Sequence, residues 1–184
     1  MNDFMTLLKS RRSIRKFQDT PVSDDMLNTL YDAVKWSQSW ANTQCWEVIR
    51  VVDKPLREKI QEAVVKNPAT KAIVDAPVLL ALCGKKNSSG FYSNLVTTKY
   101  GDWMLFDLGI ATQSLCLAAH AMGLGTVVVG LYDHDKVAGL LNLPIEYNQV
   151  VLIPLGFPAK EPSAPKRRDV EDFIHVNTFG SKGI

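Results

Sequence analysis

The sequence has almost no excess charge of either sign. It contains 21 lysines and arginines against 19 aspartates and glutamates, a formal net charge of +2 at pH 7. Proteins that bind nucleic acid or anionic membranes rely on basic surfaces that neutralise phosphates. We therefore expect neither a nucleic-acid partner nor a membrane partner.

Cysteine is also scarce, with Cys45, Cys83 and Cys116 as the three in 184 residues. Their wide spacing fits no zinc or iron–sulfur ligand pattern and no disulfide framework. We expect no metal site, and we interpret each cysteine as a small buried apolar residue.

No uninterrupted apolar run is long enough to cross a bilayer. A membrane helix needs about 20 mainly apolar residues, and the most apolar region, 105–129, is broken by Asp107, Gln113, Ser114 and His120. The start of the chain is rich in basic residues with no apolar stretch after them, which predicts no signal peptide. These features indicate a cytoplasmic protein.

The length suits a single domain over residues 1–184, since one core typically serves about 100–200 residues. Apolar periodicity predicts helices at 3–10, after the N-cap Ser23, after Pro55, over 98–122 and after Asp133. Apolar and β-branched runs predict strands at 46–52, 77–83, 126–129 and 150–155.

The composition changes near the C-terminus. Pro158, Pro162 and Pro165 fall within eight residues and precede a basic triplet and an apolar end at 173–176. Proline-rich segments are extended. We therefore expect an arm over about 158–184 that buries its apolar end on another subunit.

Basic residues cluster at 11–15 directly after the first predicted helix, in the order Arg-Arg-Ser-Ile-Arg. Guanidinium groups and a hydroxyl that converge at a turn fit a phosphate, which arginine can bind through two parallel hydrogen bonds. A run of this kind is also typical of a solvated surface. The triplet Lys-Arg-Arg at 166–168 leaves the same two interpretations open.

Amide and hydroxyl side chains occupy the segment 37–46, between a predicted helix and a predicted strand. Asn42 and Gln44 can donate to and accept from a flat heterocycle that carries carbonyls and ring nitrogens. Trp40 or Trp46 can form an aromatic wall beside it. The alternative is a polar loop whose tryptophans anchor it to the core.

Small residues occupy the segment 123–130, Gly-Leu-Gly-Thr-Val-Val-Val-Gly. On a predicted strand they would let a planar ligand approach the backbone closely. The segment is neither a phosphate-binding loop nor a dinucleotide fingerprint, because the strand–G-x-G-x-x-G–helix order is missing.

Together these segments resemble the nitroreductase family of FMN-dependent enzymes, over nearly the whole chain. The motifs are RRSIRKF at 11–17, N-T-Q-x-W at 42–46, D-x-G-x-A-x-Q-x-L at 107–115, G-L-G-T at 123–126, P-L-G-F-P at 154–158 and K-R-R at 166–168. Gln38 and Cys45 stand where the family often has proline, so the shape of that loop stays open.

The resemblance implies an α+β fold with a mostly antiparallel central sheet wrapped by helices. Two chains would form a homodimer in which each C-terminal arm packs on its partner, with FMN at the interface. NADH or NADPH would be the reductant, and a hydride would pass through flavin N5 to nitroaromatic, quinone or similar small acceptors by a ping-pong mechanism.

The resemblance also implies cofactor-binding residues. Those expected to hold the phosphate and the pyrimidine side of the ring are Arg11, Arg12, Ser13 and Arg15, with Lys166 and Arg168 from the arm and Arg167 as a possible substitute. Those expected at the ring are Ser39, Trp40, Asn42 and Gln44 from the other subunit, the backbone of Val127, Val128, Val129 and Gly130 beside N5, and Gln113. Arg15 is the candidate cation that stabilises the reduced ring.

No catalytic side chain is implied, because the flavin carries the chemistry. His120 and His134 are interpreted as structural residues and His175 as an interfacial one. The alternatives are reductive dehalogenation, enone reduction or flavin breakdown on the same fold, a flavin-storage protein, and an anion- or RNA-binding module. The sequence leaves open the physiological substrate, the preferred nicotinamide, the role of Cys45 and the flavin contacts at 67–71.

Overall fold

The computed structural model describes residues 3–182, so residues 1, 2, 183 and 184 of the predicted domain and arm lie outside the described residues. The helices are α1 (Asp3–Ser10), α2 (Asp24–Lys35), α3 (Lys54–Ala63), α4 (Ala72–Asp75), α5 (Met104–Ala121) and α6 (His134–Leu140). The strands are β1 (Trp46–Val51), β2 (Val78–Lys85), β3 (Phe91–Tyr92), β4 (Leu95–Val96), β5 (Gly125–Thr126) and β6 (Tyr147–Gly156). Short 3₁₀ turns lie at Trp40–Asn42 and Val170–Asp172.

The main sheet has four strands in the order β1-β2-β6-β5, and each neighbouring pair is antiparallel. In its centre, Val78 of β2 lies opposite Leu155 of β6, and Lys85 lies opposite Tyr147. β3 and β4 form a separate hairpin. The predicted α+β fold with a mostly antiparallel sheet is confirmed.

Helices cover both faces of this sheet. Side chains alternate along a strand, so Leu80 and Leu82 of β2 pack in one core with residues of α2 and α5. Leu79 and Ala81 pack in a second core with residues of α3, α4 and α6. A strand covered on both faces is apolar throughout, which explains the continuous run at 77–83.

The longest helix begins later than its apolar pattern predicted. The predicted helix spans 98–122, whereas α5 begins at Met104. Gly101 has a φ of +69°, in the left-handed region that a right-handed helix excludes. Asp102 Oδ1 accepts the Met104 N–H at 2.8 Å, which satisfies a donor at the start of the helix. The helix prediction for 98–103 was therefore wrong.

The predicted strand at 126–129 was also too long. Regular pairing with β6 ends at Thr126, although Val129 bridges to Leu152 in the same register. The Val127 N–H donates to the Pro154 carbonyl at 3.3 Å. Proline has no N–H to return the bond, so the ladder is interrupted where the chain is still extended.

Helix α5 is the central helix of the first core. By length and composition it is the one helix among residues 3–182 that could cross a membrane. Seven of its residues are buried, whereas Leu105 and Phe106 on its outward side are 62% and 60% exposed. A helix that is apolar all round is normally covered on several sides. The outward side of α5 therefore lacks a cover in a single chain.

The buried Arg57 joins α3 to the end of α4, a contact that the sequence pattern did not predict. Its guanidinium donates to the carbonyls of Ile73 at 3.0 Å, Val74 at 2.9 Å and Ala76. These carbonyls lie at the end of α4, where a helix leaves acceptors without partners.

We expect Arg57→Met to lower the free energy of unfolding by about 3 kcal/mol, because three carbonyls, two of them in buried hydrogen bonds, lose a charged donor. The urea midpoint measures this loss. Lys59→Met, which removes an exposed cation from the same helix, should leave the midpoint unchanged. Equal midpoints for both variants would contradict the assigned role of Arg57.

Candidate functional site

The arginine stretch at 11–15 begins where α1 ends. Arg12 turns back on α1, and its Nη1 donates to the carbonyls of Lys9 at 2.6 Å and Arg11 at 2.8 Å. Arg15 donates to the carbonyl of Ser13 at 3.2 Å. Within residues 3–182, the ion pairs are Lys35–Asp32 and Arg50–Asp24. The positive charges of the stretch are therefore not neutralised by a carboxylate of the described chain.

This stretch is docked against β5. Ser13 forms a parallel bridge with Thr126, and the Ile14 N–H donates to the Thr126 carbonyl at 2.9 Å. The contact requires Gly125, because a Cβ there would lie 2.4 Å from Ile14 Cγ1. The arginine stretch at 11–15 and the small-residue segment at 123–130 are therefore in contact, at Thr126.

The backbone at 127–130 forms an open edge beside this docking point. Val127 and Val129 are buried and donate to β6, at 3.3 Å to Pro154 and 2.9 Å to Leu152. Because amides alternate along an extended chain, the N–H groups of Val128 and Gly130 face away from β6. Among the described residues neither has an acceptor. The edge offers donors to a flat ligand.

Two histidines flank these elements and have structural contacts. His134 lies 3.1 Å through Nε2 from the Gly130 carbonyl and 3.0 Å through Nδ1 from the Gln149 carbonyl. His120 Nε2 lies 2.7 Å from Ser10 Oγ at the end of α1. Burial, and then the charge of Arg11, lower the pKa of His120 below its usual range. The positive potential of the arginine stretch therefore extends to the last turn of α5.

The polar segment 37–46 forms a tight turn at the surface. The Gln44 N–H donates to Ser39 Oγ at 3.0 Å, and Gln44 Nε2 donates to Asn42 Oδ1 at 3.2 Å. Ala41, Asn42 and Gln44 have positive φ values of 45°, 57° and 48°. A surface cleft of about 480 Å³ opens beside Ser39, Asn42 and Gln44. Trp40 and Trp46 are half-buried, so the polar groups of the turn, more than its indoles, face solvent.

Asp107 holds this turn, a role that the sequence analysis did not assign. The carboxylate is 1% exposed and accepts the Trp40 N–H at 3.0 and 3.1 Å and the Ser89 hydroxyl at 2.6 Å. The Cys45 thiol lies 3.7 Å from it. Burial, and then the Asp107 charge, raise the pKa of Cys45 to about 12, so its thiol stays protonated near neutral pH and is inert. The sequence feature that could have predicted this role is a single acidic residue within a mainly apolar helix.

The arginine stretch and the 37–46 turn lie at opposite ends of α5. Asp107 binds the turn at one end, and His120 contacts Ser10 at the other. Thirteen residues of helix separate them by about 20 Å. The structure of one chain thus does not bring the predicted ring residues of the 37–46 turn close to the arginine stretch.

Gln113 and the basic triplet also lie apart from the arginine stretch. Gln113 is exposed on the outward side of α5, in a shallow groove shared with Phe106, Ile110 and Leu117. Lys166 and Arg167 are exposed, and Arg168 contacts its own arm through the Asp172 carbonyl at 2.8 Å and the ring of Phe173.

The segment 67–71, whose flavin contacts the sequence left open, follows residues that contact the chain just after the open edge. The Val65 N–H donates to the Leu131 carbonyl at 3.3 Å, and Val64 bridges to Tyr132. The Asn67 side chain is used locally, since Oδ1 accepts the Ala69 N–H at 2.8 Å. These contacts bring the chain that leads into the segment to 131–132, and Lys71 within the segment is exposed.

Comparison with known proteins shows similarity to nitroreductases and to NAD(P)H-dependent FMN reductases. A model described as "Nitroreductase family" matches residues 8–157. The chain is 33% identical over 181 residues to the "Putative NADH dehydrogenase/NAD(P)H nitroreductase" of Methanothermobacter thermautotrophicus, covering 96% of this chain and 88% of that protein. It is 30% identical over 197 residues to the FMN reductase [NAD(P)H] of Bacillus subtilis, covering 97% and 75%.

A solved structure has the same fold. The NADPH:FMN oxidoreductase from Vibrio harveyi, complexed with NAD+, superimposes with a TM-score of 0.82 and 25% sequence identity. The match covers 97% of this chain and 78% of that one.

We expect Gly125→Ala to destabilise the protein by about 1–3 kcal/mol, because the added methyl group overpacks the contact with Ile14. Thermal unfolding measures the effect. Gly139→Ala is the matched control, since a Cβ there meets nothing within 4 Å and helical glycine-to-alanine changes are neutral or favourable. An unchanged melting temperature for Gly125→Ala would show that the close approach is unimportant.

Proposed function

The chain belongs to the nitroreductase family, and we propose that it is an FMN-dependent oxidoreductase that uses NADH or NADPH to reduce nitroaromatic, quinone or similar small acceptors. Bound FMN would supply the redox chemistry, by accepting a hydride at N5 and releasing it to the acceptor in a second half-reaction. The observation that carries the proposal is the arginine stretch, without carboxylate partners, docked beside an open backbone edge.

The residues of this region fit the two ends of FMN. Arg11, Arg12 and Ser13 supply cationic and hydroxyl donors for a phosphate, which is a strong acceptor of charge-assisted hydrogen bonds. The outward N–H groups at 127–130 supply donors for ring nitrogens and carbonyls. Arg15, one residue beyond the Ile14 contact with β5, is positioned to favour negative charge on a reduced ring.

The remaining predicted residues would reach this site from a second copy of the chain. In a two-fold dimer the same surface meets itself, so α5 can pack antiparallel to its partner through its uncovered side. The N-terminal end of one α5 then lies beside the C-terminal end of the other. This packing would place Ser39, Trp40, Asn42 and Gln44 of one subunit near the arginine stretch of its partner, with Gln113 between them.

The C-terminal arm supports the same assembly. It leaves the domain where Phe17 bridges to Pro158 and the Ala159 N–H donates to the Lys16 carbonyl. Beyond this point Phe173 and Phe179 are 50% and 94% exposed. Apolar side chains left in water favour association, so we infer that the arm over about 158–184 of a single 1–184 domain packs on the partner. Lys166 and Arg168, with Arg167 as substitute, would then complete the phosphate site.

The acceptor would enter beside the loop at 86–103. Its tip, the β3–β4 hairpin, exposes Tyr92, Leu95 and Val96, which suits flat apolar acceptors. Stopped-flow reduction distinguishes this activity from flavin storage, and a panel of acceptors distinguishes it from the other flavin reactions of the fold. A cytoplasmic location, where reduced nicotinamides are available, fits this function.

Purified protein should be yellow, and NADH or NADPH should bleach its flavin absorbance rapidly in a stopped-flow experiment. A storage protein would bind FMN without fast bleaching. A panel of nitroaromatic, quinone, enone and halogenated acceptors then identifies the second half-reaction. Protein that is colourless and does not bind added FMN would refute the function.

Arg11→Ala, Arg12→Ala and Arg168→Ala should each weaken FMN binding by about 10- to 100-fold, because a hydrogen bond between charged groups contributes about 1.5–3 kcal/mol. Fluorescence titration measures the dissociation constant. Arg50→Ala is the control, since Arg50 pairs with Asp24 on an exposed part of β1. If the other three variants also bind FMN like the wild type, the phosphate assignment is wrong.

Leu105→Glu should shift the protein from dimer to monomer in analytical ultracentrifugation and weaken FMN binding, because it places a charge on the uncovered side of α5. Val52→Glu changes a side chain of similar exposure, 69% against 62%, outside that surface and should leave the dimer intact. A dimer that survives Leu105→Glu would contradict the proposed interface.

A further inference from the structure

Two loops that serve the proposed site are held by one buried carboxylate. Asp107 Oδ1 and Oδ2 accept the Trp40 N–H of the 37–46 turn, and Oδ2 accepts the Ser89 hydroxyl of the 86–103 loop. Ser89 is fully buried, and Asp107 is 1% exposed. The turn and the loop are 40 or more residues apart in sequence, so Asp107 joins elements that chain connectivity leaves independent.

No cation of the described chain compensates this buried carboxylate. Among residues 3–182 it has no cationic partner, and its charge is compensated by an amide, a hydroxyl and a weak thiol contact. A buried charge carries a desolvation penalty, and well-packed apolar residues in its place are often neutral or stabilising. Its hydrogen bonds to two separate loops therefore point to a role in fixing their geometry.

The hydrogen bond to Asp107 anchors a turn whose backbone is strained. Ala41 and Gln44 have positive φ values, which are strained for residues with a side chain and persist only where the surroundings determine them. The bond from Trp40 to Asp107 fixes the backbone immediately before Ala41. Without it the turn can relax, and the polar groups of Ser39, Asn42 and Gln44 lose their common orientation.

The 86–103 loop is fixed at its root and free at its tip. The Trp103 N–H donates to the Ser89 carbonyl at 3.0 Å, and the Asn87 N–H donates to Asp102 Oδ2 at 2.8 Å. Tyr92 and Leu95 in the hairpin at the tip are 74% and 70% exposed. The position of the tip therefore depends on the root, and the root is tied to α5 by the Ser89–Asp107 bond.

We propose that Asp107 is a positioning residue that holds the 37–46 turn and the 86–103 loop in one fixed arrangement, and thereby sets the acceptor pocket. The expected effect on kinetics rests on the proposed function, because the two loops affect catalysis only if they border the flavin. The structural part of the proposal, the coupling of the loops, stands on the contacts of Asp107 alone.

Hydrogen exchange of the apoprotein tests the coupling without reference to activity. Asp107→Ala should accelerate exchange of amides in both loops, and Ser89→Ala should accelerate exchange in the 86–103 loop and, through the freed carboxylate, at 40–44. Thr29→Ala removes an exposed hydroxyl bond on α2 and should change neither loop. Unchanged exchange at 40–44 in both Asp107→Ala and Ser89→Ala overturns the coupling.

Asp107→Asn should restore the slow exchange that Asp107→Ala loses. Its amide oxygen can still accept from Trp40, and its NH2 group can donate to the Ser89 hydroxyl, so exchange in both loops should return to the wild-type rate. If Asn behaves like Ala, the arrangement depends on the negative charge and the proposal of positioning by hydrogen bonds is wrong.

Steady-state kinetics with a nitroaromatic acceptor and saturating FMN test the consequence. At saturating FMN, Ser89→Ala should raise the acceptor KM by about 5-fold or more with kcat within about 2-fold, because a displaced loop weakens acceptor placement. An unchanged KM in Ser89→Ala overturns the link to the pocket. If the wild type binds no FMN but the variants still accelerate exchange in both loops, the proposed function is wrong and the coupling of the loops stands. If Asp107→Ala fails to fold, Ser89→Ala and Asp107→Asn decide both questions.

Discussion

The central helix α5 is the element on which both halves of the proposed site depend. Its first turns carry Asp107, which binds the polar turn at 37–46, and its last turn carries His120, which contacts α1 just before the arginine stretch. A helix is stiff at this length, so the two groups are held about 20 Å apart. One chain therefore keeps the two groups apart, and in the proposed dimer a two-fold partner would join them.

The site borders the sheet where its regular pairing is interrupted. Pro154 cannot return a hydrogen bond to Val127, so the edge at 127–130 keeps an extended backbone without a closed ladder. Gly125 permits Ile14 to approach this edge and brings the arginine stretch with it. Backbone donors and cationic side chains thus adjoin without an ion pair to neutralise them, which suits an anionic ligand with a flat polar ring.

Much of the fold could be predicted from local patterns. The α2 periodicity, the cap at Ser23 and the continuous apolar run of β2 each report on burial that adjacent residues share. The start of α5 and the length of β5 could not be predicted in the same way. The first depends on a left-handed Gly101 and the second on a proline in a different strand, and neither lies in the apolar pattern of its own element.

The sequence by itself determined the residue chemistry and the family, because motifs such as RRSIRKF are continuous in the chain. Only the tertiary structure decided which of these groups meet. It placed Ser13 beside Thr126, put the 37–46 turn at the far end of α5, and gave Asp107 its two loops. Contacts between distant segments depend on how strands and helices pack, and local spacing carries no record of that packing.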